Sequence, residues 1–358
     1  MNSHAIISFM VESFFQIKNF ALKNRIVVPP FVRNLATDDG MATEKLLDSY
    51  RQSALSGASI VIVEATYVHE LGRIFGFKQL GAISSLHLDS LRQVASSIKS
   101  FGIPAIIQLV HSGRMSLNPD CIAPSAIPFE NGLTPREMTL DDISFVKECF
   151  VNSARMAIEA GFDGVEIHNA HGYLLSQFLS PSSNARNDAY GGSFENRSRL
   201  AKEIVSETRK IIGPEKILSV RLGACDMVKG GLNINDGVKA AKLFKEVGAD
   251  LINVSVGVAP SKLGGSQTSR RLNFAPLARA IKNAGVCPVA IAGRITTKED
   301  CEVVLEQGIA DLVCVCRATL SDPLWTRKVL GEIEAPIIKC LGCKPKCSHF
   351  ATGCPKKS

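Results

Sequence analysis

Short apolar runs alternate with longer amphipathic stretches along almost the whole chain. The runs are rich in β-branched residues and nearly continuous in apolar character, which is typical of parallel strands buried on both faces. We predict eight such strands, at residues 26–29, 59–65, 105–110, 164–168, 217–222, 251–255, 289–292 and 312–316. Apolar residues between them recur at helical spacing, which predicts eight helices at residues 44–56, 86–101, 141–160, 195–212, 235–247, 274–284, 298–307 and 323–330.

Glycines punctuate this alternation where each helix should end and the next strand begin. The phrases EAGFDGVEI, EVGADLINV, NAGVCPVAI and EQGIADLVCV repeat one helix–turn–strand unit. Eight such units are the number in a closed (β/α)8 barrel, the TIM barrel. A doubly wound sheet rarely needs so many, and its GxGxxG fingerprint is absent after the first strand. The sequence therefore predicts an α/β protein with a TIM barrel over residues 1–331 and a short Cys-rich C-terminal segment over residues 332–358.

Polar residues that could carry chemistry follow the fourth strand. It leads into His168, His171 and Tyr173, and a loop is predicted from there until the next helix begins near residue 194. A TIM barrel carries its chemistry at the carboxyl ends of its strands. A lone histidine in such a position is more often structural, whereas two histidines and a tyrosine within six residues make a functional site about as frequent as a structural one.

Other strand ends carry residues suited to an anionic ligand. Gln108 and Arg221 belong to the third and fifth strands, and Gly293, Arg294 and Arg317 follow the seventh and eighth. The loops after strands seven and eight are the usual phosphate site of a TIM barrel, where backbone N–H groups face the anion. Each arginine alone could equally form a surface salt bridge, but together they favour a phosphorylated ligand across the barrel mouth.

Charge and composition narrow the class of protein. The 358 residues are 46% hydrophobic, which is ample for a core, and the net charge of +7 is dispersed along the chain. We expect no nucleic-acid partner, because no basic stripe with interleaved aromatic residues is present. We expect no membrane association and a soluble, cytoplasmic protein, because no apolar run approaches a membrane span and the N-terminus lacks the features of a signal peptide.

Four of the eleven cysteines lie together at the C-terminus. Cys340, Cys343 and Cys347 form a CxxCxxxC run, and Cys354 follows with a proline after it, which is the spacing of iron–sulfur ligands. Zinc, with His349 as an optional ligand, is the main alternative. Disulfides are disfavoured in a reducing compartment.

Several longer motifs match a known family. The chain resembles the flavin-dependent Old Yellow Enzyme family, in particular the branch of bacterial 2,4-dienoyl-CoA reductase and the clostridial enoate and bile-acid oxidoreductases. The most specific match is the fourth-strand segment, and the others are weaker: GFDGVEIHNAHGYLLSQFLSPSSNARNDAYGGSFENR, then IKNFALKNRIVVPP, VEATYV, IQLVHSGR, APSAIP, VRL, AGRITT and CRATLSDP. The resemblance implies an enzyme with FMN over the barrel mouth.

The resemblance also implies roles for single residues. Residues near the flavin would be Pro30 and Ala65 by packing, Gln108 at the pyrimidine edge, Arg221 beside N1 and the C2 carbonyl, and Gly293, Arg294 and Arg317 at the phosphate. The two histidines of the fourth strand would hold the carbonyl oxygen of an α,β-unsaturated ketone or enoyl thioester. Hydride would pass from flavin N5 to the alkene, and Tyr173 would supply the proton.

The same resemblance implies a [4Fe-4S] cluster on the four C-terminal cysteines, although the branch has a longer gap before the fourth. Electrons would come from a separate donor protein or directly from NAD(P)H. Two departures are notable: Val32 stands where the family has a residue that tunes the flavin potential, and Cys316 replaces a glycine beside Arg317. Two alternatives remain open, an electron-transfer subunit without an organic substrate and a non-redox TIM-barrel enzyme that binds a sugar phosphate.

Overall fold

A closed barrel of eight parallel strands forms the centre of the molecule, as the sequence predicts. The structure, a computed structural model, describes residues 10–74, 78–260 and 271–343. The barrel strands are β3 (Ile26–Val28), β4 (Ile60–Tyr67), β5 (Ala105–Val110), β8 (Gly164–Asn169), β9 (Ile217–Gly223), β10 (Leu251–Ser255), β11 (Val289–Ile291) and β12 (Leu312–Cys314). Each pairs in parallel with the next, and β12 closes the barrel on β3. The predicted TIM barrel is confirmed, while the boundary at residue 331 stays a prediction.

Helices pack around the outside of the barrel. They are α1 (Glu44–Leu55), α2 (Leu88–Lys99), α3 (Leu140–Glu159), α4 (Leu174–Leu179), α5 (Phe194–Ile212), α6 (Ile234–Glu246), α7 (Ala275–Asn283), α8 (Lys298–Glu306), α9 (Arg317–Ser321) and α10 (Trp325–Val329). Short 3-10 turns lie at Met10–Glu12, Glu70–Gly72, Ser85–His87 and Gly113–Met115. Several helix starts are fixed by reciprocal caps, as in α3, where Thr139 accepts from the Asp142 backbone and Asp142 from that of Thr139. Among the described residues, no helix is both long and apolar enough to cross a membrane.

A small hairpin closes the bottom of the barrel, and the sequence did not predict it. Its strands, β1 (Phe15–Ile17) and β2 (Phe20–Leu22), pair antiparallel. Ile17 and Leu22 are buried against residues of the barrel interior such as Ile106. The hairpin therefore closes the lower end of the barrel, and the barrel interior below the site is a packed core. Two further short strands, β6 (Ile122–Ala123) and β7 (Arg136–Glu137), pair outside the barrel.

The secondary structure departs from the prediction in two places. The segment after Tyr173 begins with helix α4 instead of loop, and all six residues of this helix are buried. Helix α10 falls within the helix predicted at residues 323–330, whereas the short helix α9 before it was not predicted, and a break at residues 322–324 separates the two. Pro323 explains this break, because the residue before a proline avoids helical backbone, and Asp322 is extended with φ −130° and ψ 99°.

Candidate active site

Strand register brings the predicted site residues to neighbouring positions at one end of the barrel. His168 on β8 stands opposite Arg221 on β9, and Arg221 stands opposite Asn253 on β10. On the other side of β8, Gln108 of β5 stands opposite Ala65 of β4. These side chains come from five separate strands, so only the closed barrel puts them together.

The two histidines of the fourth barrel strand contact each other directly. The Nε2 atom of His168 lies 3.2 Å from Nδ1 of His171, and the ring centroids are 4.9 Å apart. Nδ1 of His168 accepts a hydrogen bond from the backbone N–H of Ala170 at 3.2 Å, and Nε2 of His171 lies 2.7 Å from Oγ of Ser255. The backbone of His171 has φ 59°, a left-handed conformation that is uncommon outside glycine and is frequent at functional sites.

Both imidazoles are held neutral by their surroundings. Burial, together with the neighbouring His171 and Arg221, keeps the pKa of His168 well below its usual value. Burial and then the charge of Arg221 lower the pKa of His171 to about 3. A neutral imidazole has one N–H donor and one bare acceptor nitrogen, so each ring offers a single donor at neutral pH.

Tyr173 packs beside the histidine pair. Its ring centroid lies 4.9 Å from that of His168 and 6.2 Å from that of His171, in edge-on arrangements. Burial raises the pKa of Tyr173 well above its usual value, so the phenol keeps its proton. Tyr173 and Val32 also pack against the small apolar cluster of Ala65, Ile74 and Val110, which gives the site an apolar wall.

A buried polar network crosses the barrel interior near Arg221. Glu166, fully buried on β8, accepts hydrogen bonds from Gln108 at 2.7 Å, Ser219 at 2.7 Å and Asn253 at 2.9 Å. Asn253 in turn accepts from Nη1 of Arg221 at 2.5 Å. Sequence reasoning gave no role to Glu166 or Asn253, and it placed Ser255 at a strand end without assigning it a function. Two features of the sequence could have revealed them. Glu166 is an acid inside an apolar strand, and Asn253 and Ser255 are polar residues two positions apart on β10, so their side chains face the same side.

The remaining predicted cofactor residues line the ends of three adjacent strands. Gly293 and Arg294 follow β11, Arg317 begins α9 after β12, and Pro30 lies two residues beyond β3. These four residues are half-buried.

The residues at the barrel mouth fit FMN. Gly293 has φ 124°, and a Cβ there would lie 2.4 Å from Oδ1 of Asn273, so only glycine suits this turn. Nε of Arg221 is a buried donor without a hydrogen-bond partner within the described ranges, so it is free to bind an anionic or carbonyl group. A glycine turn that lets the backbone approach an anion, together with a guanidinium donor, suits the phosphate and the pyrimidine end of a flavin.

The cysteine segment is described only in part. Cys340 and Cys343 are half-buried free thiols, whereas Cys347 and Cys354 lie outside the described residues. Across residues 10–74, 78–260 and 271–343, no group of three or more His, Cys, Asp or Glu side chains is arranged to hold a metal ion. The predicted metal site stays a prediction.

Comparisons with known proteins also point to a flavin-dependent oxidoreductase. The chain matches the NADH:flavin oxidoreductase / NADH oxidase family over residues 13–335. It is 42% identical over 336 residues to the NADPH dehydrogenase of Geobacillus sp. (strain WCH70), covering 92% of this chain and 96% of that protein. It is 34% identical over 344 residues to the NADH oxidase of Thermoanaerobacter brockii, covering 93% of this chain and 52% of that protein.

Solved structures are similar over nearly all of the chain. A 2-naphthoyl-CoA reductase in complex with 2-naphthoyl-CoA superposes with a TM-score of 0.90 at 28% identity, covering 96% of this chain and 55% of that one. The old yellow enzyme homologue from Zymomonas mobilis superposes with a TM-score of 0.80 at 26% identity, covering 97% of both chains. The chain thus spans about half of the reductase and of the NADH oxidase, and almost all of the NADPH dehydrogenase and the Zymomonas protein.

Fold, site and relatives together define a flavin-dependent NAD(P)H oxidoreductase built on a TIM barrel. The chain belongs to the NADH:flavin oxidoreductase / NADH oxidase family, which confirms the resemblance to the Old Yellow Enzyme family. The narrower assignment to the 2,4-dienoyl-CoA reductase branch stays a prediction.

Proposed function

We propose that the protein is an FMN-dependent ene-reductase, which reduces a carbon–carbon double bond conjugated to a ketone or thioester carbonyl. The observation that carries the proposal is the pair of imidazole nitrogens, Nε2 of His168 and Nδ1 of His171, 3.2 Å apart at the barrel mouth. Two nitrogens at that separation can both reach one oxygen atom at hydrogen-bond distance. An oxygen held by two donors in a partly buried site is the geometry of an oxyanion hole.

The histidines would act on the carbonyl oxygen of the substrate. As the alkene is reduced, negative charge develops on that oxygen, and hydrogen bonds to it strengthen in the transition state. Removal of one such donor typically costs about 10²- to 10³-fold in rate. Because both rings are neutral at neutral pH, they would stabilise the enolate by hydrogen bonding and would keep their protons.

Tyr173 would supply the proton to the α-carbon. Its ring packs against His168, so a carbonyl held by the histidines would lie beside the phenol. A phenol with a raised pKa is a weak acid in the ground state, and it becomes a suitable donor when the neighbouring carbon acquires carbanion character. The apolar wall formed by Ala65, Ile74 and Val110 suits the hydrocarbon part of the substrate.

FMN would be held by side chains from several strands. Gln108, Arg221 and Ala65 would contact the ring system, with Pro30 beside it, and Gly293, Arg294 and Arg317 would hold the phosphate. When bound, FMN supplies the hydride that reduces the alkene. Arg221 would keep a positive charge next to the ring system, and the network through Asn253 to Glu166 holds its guanidinium in place.

Binding of a phenol to the FMN-loaded protein tests the proposal. A phenolate oxygen resembles the enolate oxygen, and a phenol ring stacked on oxidised flavin gives a long-wavelength charge-transfer band. We expect the band with 4-hydroxybenzaldehyde, and its loss in the His168→Ala/His171→Ala protein with FMN still bound. His69→Ala is the matched control, because His69 lies at a different strand end and should leave the band unchanged. A band of full strength in the double variant would contradict the proposal.

A second part of the proposal concerns the C-terminal cysteines. We propose that Cys340, Cys343, Cys347 and Cys354 ligate a [4Fe-4S] cluster, because thiolates at CxxCxxxC spacing suit iron–sulfur clusters. The cluster would pass electrons to FMN from a separate donor protein. The family match ends at residue 335, before these cysteines, so the proposal depends on their spacing and on the resemblance to the branch that carries such a cluster. Without a cluster, NAD(P)H would reduce the FMN directly.

Elemental analysis of anaerobically purified protein separates these cases. About four irons and four sulfides per chain would support the cluster. One zinc without sulfide would support the alternative zinc site. A chain with neither, in protein never exposed to oxygen, would leave direct reduction by NAD(P)H.

A further inference from the structure

The hydrogen bonds around the histidine pair dictate which nitrogen carries each proton. The backbone N–H of Ala170 donates to Nδ1 of His168, so this nitrogen is bare and the proton of the neutral ring is on Nε2. Within the described ranges, the acceptor that faces this proton is Nδ1 of His171 at 3.2 Å, and Nδ1 accepts it when it is bare. The proton of His171 is therefore on Nε2, where it is donated to Oγ of Ser255 at 2.7 Å.

This arrangement cannot hold a carbonyl oxygen with both rings. His168 offers its N–H toward the space between the rings, whereas His171 offers a lone pair there, which would repel a carbonyl oxygen. To donate from Nδ1, the neutral ring of His171 must carry its proton on that atom and leave Nε2 bare. A buried bare nitrogen then needs a donor, and the neighbouring side chain at that position is Ser255.

Ser255 is suited to both states. A serine hydroxyl accepts and donates, and its hydrogen rotates to suit the partner. Ser255 is the last residue of β10 and is 1% exposed, so water does not readily replace it. The backbone also ties the two elements together, because the N–H of His171 donates to the carbonyl of Val256 at 2.9 Å.

We propose that Ser255 is a positioning residue that sets the tautomer of His171: it accepts from Nε2 in the ligand-free protein and donates to Nε2 when a carbonyl or phenolate oxygen lies between the histidines. The inference rests on the proposed function of the histidine pair. No proton is gained or lost by the ring, since one leaves Nε2 and one binds Nδ1 by exchange with water while the site is open. The O–H bond of Ser255 rotates when the tautomer of His171 changes.

Titration of the FMN-loaded protein with 4-hydroxybenzaldehyde tests the role of the hydroxyl. Ser255→Ala removes the donor that Nε2 needs in the complex, so the phenol should bind roughly tenfold more weakly. Ser255→Thr keeps a hydroxyl and should restore the affinity to within about threefold of the original protein. A purely structural role would not follow the hydroxyl in this way. Equal affinity in the original and Ser255→Ala proteins would overturn the proposal.

Nitrogen NMR of the unaltered protein tests the tautomer itself and does not depend on any variant folding. In 15N-histidine-labelled, FMN-loaded protein, protonated and bare ring nitrogens have well separated shifts, and the His171→Asn protein identifies the signals of His171. We expect the proton on Nε2 without ligand and on Nδ1 with 4-hydroxybenzaldehyde. The same tautomer in both samples would overturn the inference.

Failure of the proposed function gives a different result. In that case the phenol would not bind to the unaltered protein, or its band would survive in the His168→Ala/His171→Ala protein. Failure of the inference alone leaves phenol binding dependent on the histidines but independent of Ser255.

Discussion

Replacement of Glu166 by glutamine should weaken both the fold and the FMN site. The carboxylate accepts from three donors, and glutamine has one oxygen and one NH2 group in the same space. If the new glutamine turns its oxygen toward Ser219 and Asn253, its NH2 group faces Nε2 of Gln108. Two donors then oppose each other where a hydrogen bond of 2.7 Å now lies. One opposed buried donor costs about 1–3 kcal/mol. Glu166→Ala leaves all three donors without this acceptor and should cost more, about 3–5 kcal/mol.

A 180° rotation of the Gln108 side-chain amide would relieve this conflict. The rotation would place the NH2 group of Gln108, in place of its oxygen, at the barrel mouth. We therefore expect reduced FMN retention as well as lower stability. Urea denaturation followed by circular dichroism measures the first effect, as a lower midpoint with an unchanged slope. Ser219→Ala is the control, because Oε2 of Glu166 still accepts from Asn253. An unchanged midpoint in both Glu166 variants would refute the view that this network is a satisfied buried cluster.

Three further predictions concern the site. Tyr173→Phe should slow oxidation of the reduced protein by an enone about 10²- to 10⁴-fold while leaving reduction by NAD(P)H intact, and equal oxidation rates would assign the proton to another source. Arg221→Ala should lower the FMN content after gel filtration, and full occupancy would contradict its role. As pH falls from about 6.5 toward 3, the unfolded chain binds a proton at His171 that the folded protein excludes, so the free energy of unfolding should fall by about 1.4 kcal/mol per pH unit from this group. In urea titrations at a series of pH values, His171→Asn should remove this contribution to the slope of the free energy of unfolding against pH. An unchanged slope in the variant would count against a neutral buried ring.

The sequence predicted the barrel because each of its units carries the same signals. A β-branched apolar run, a glycine turn and an amphipathic helix recur in order, and tertiary packing did not have to be known to count them. The hairpin β1–β2 was missed because three-residue strands are too short to show alternation. Helix α4 was missed for a similar reason, since it has fewer than two turns and lies between polar residues.

The proximity of candidate site residues could be predicted where they share one strand end. His168, His171 and Tyr173 lie within six residues, so their contact follows from local geometry. The contact of Ser255 with His171 joins residues 84 apart, and the bond from Asn253 to Glu166 joins residues 87 apart. Such pairs depend on strand register around the closed barrel, which no local pattern in one sequence reveals.

The most direct test of the proposed activity is the reaction of the reduced protein with an enone. The FMN-loaded protein is reduced without oxygen and mixed with 2-cyclohexen-1-one in a stopped-flow spectrometer, and the organic product is then identified. We predict prompt return of the oxidised flavin spectrum, with one cyclohexanone formed per FMN. A flavin that stays reduced in the presence of enone, yet is reoxidised at once by a one-electron acceptor, would contradict ene-reduction and favour an electron-transfer subunit.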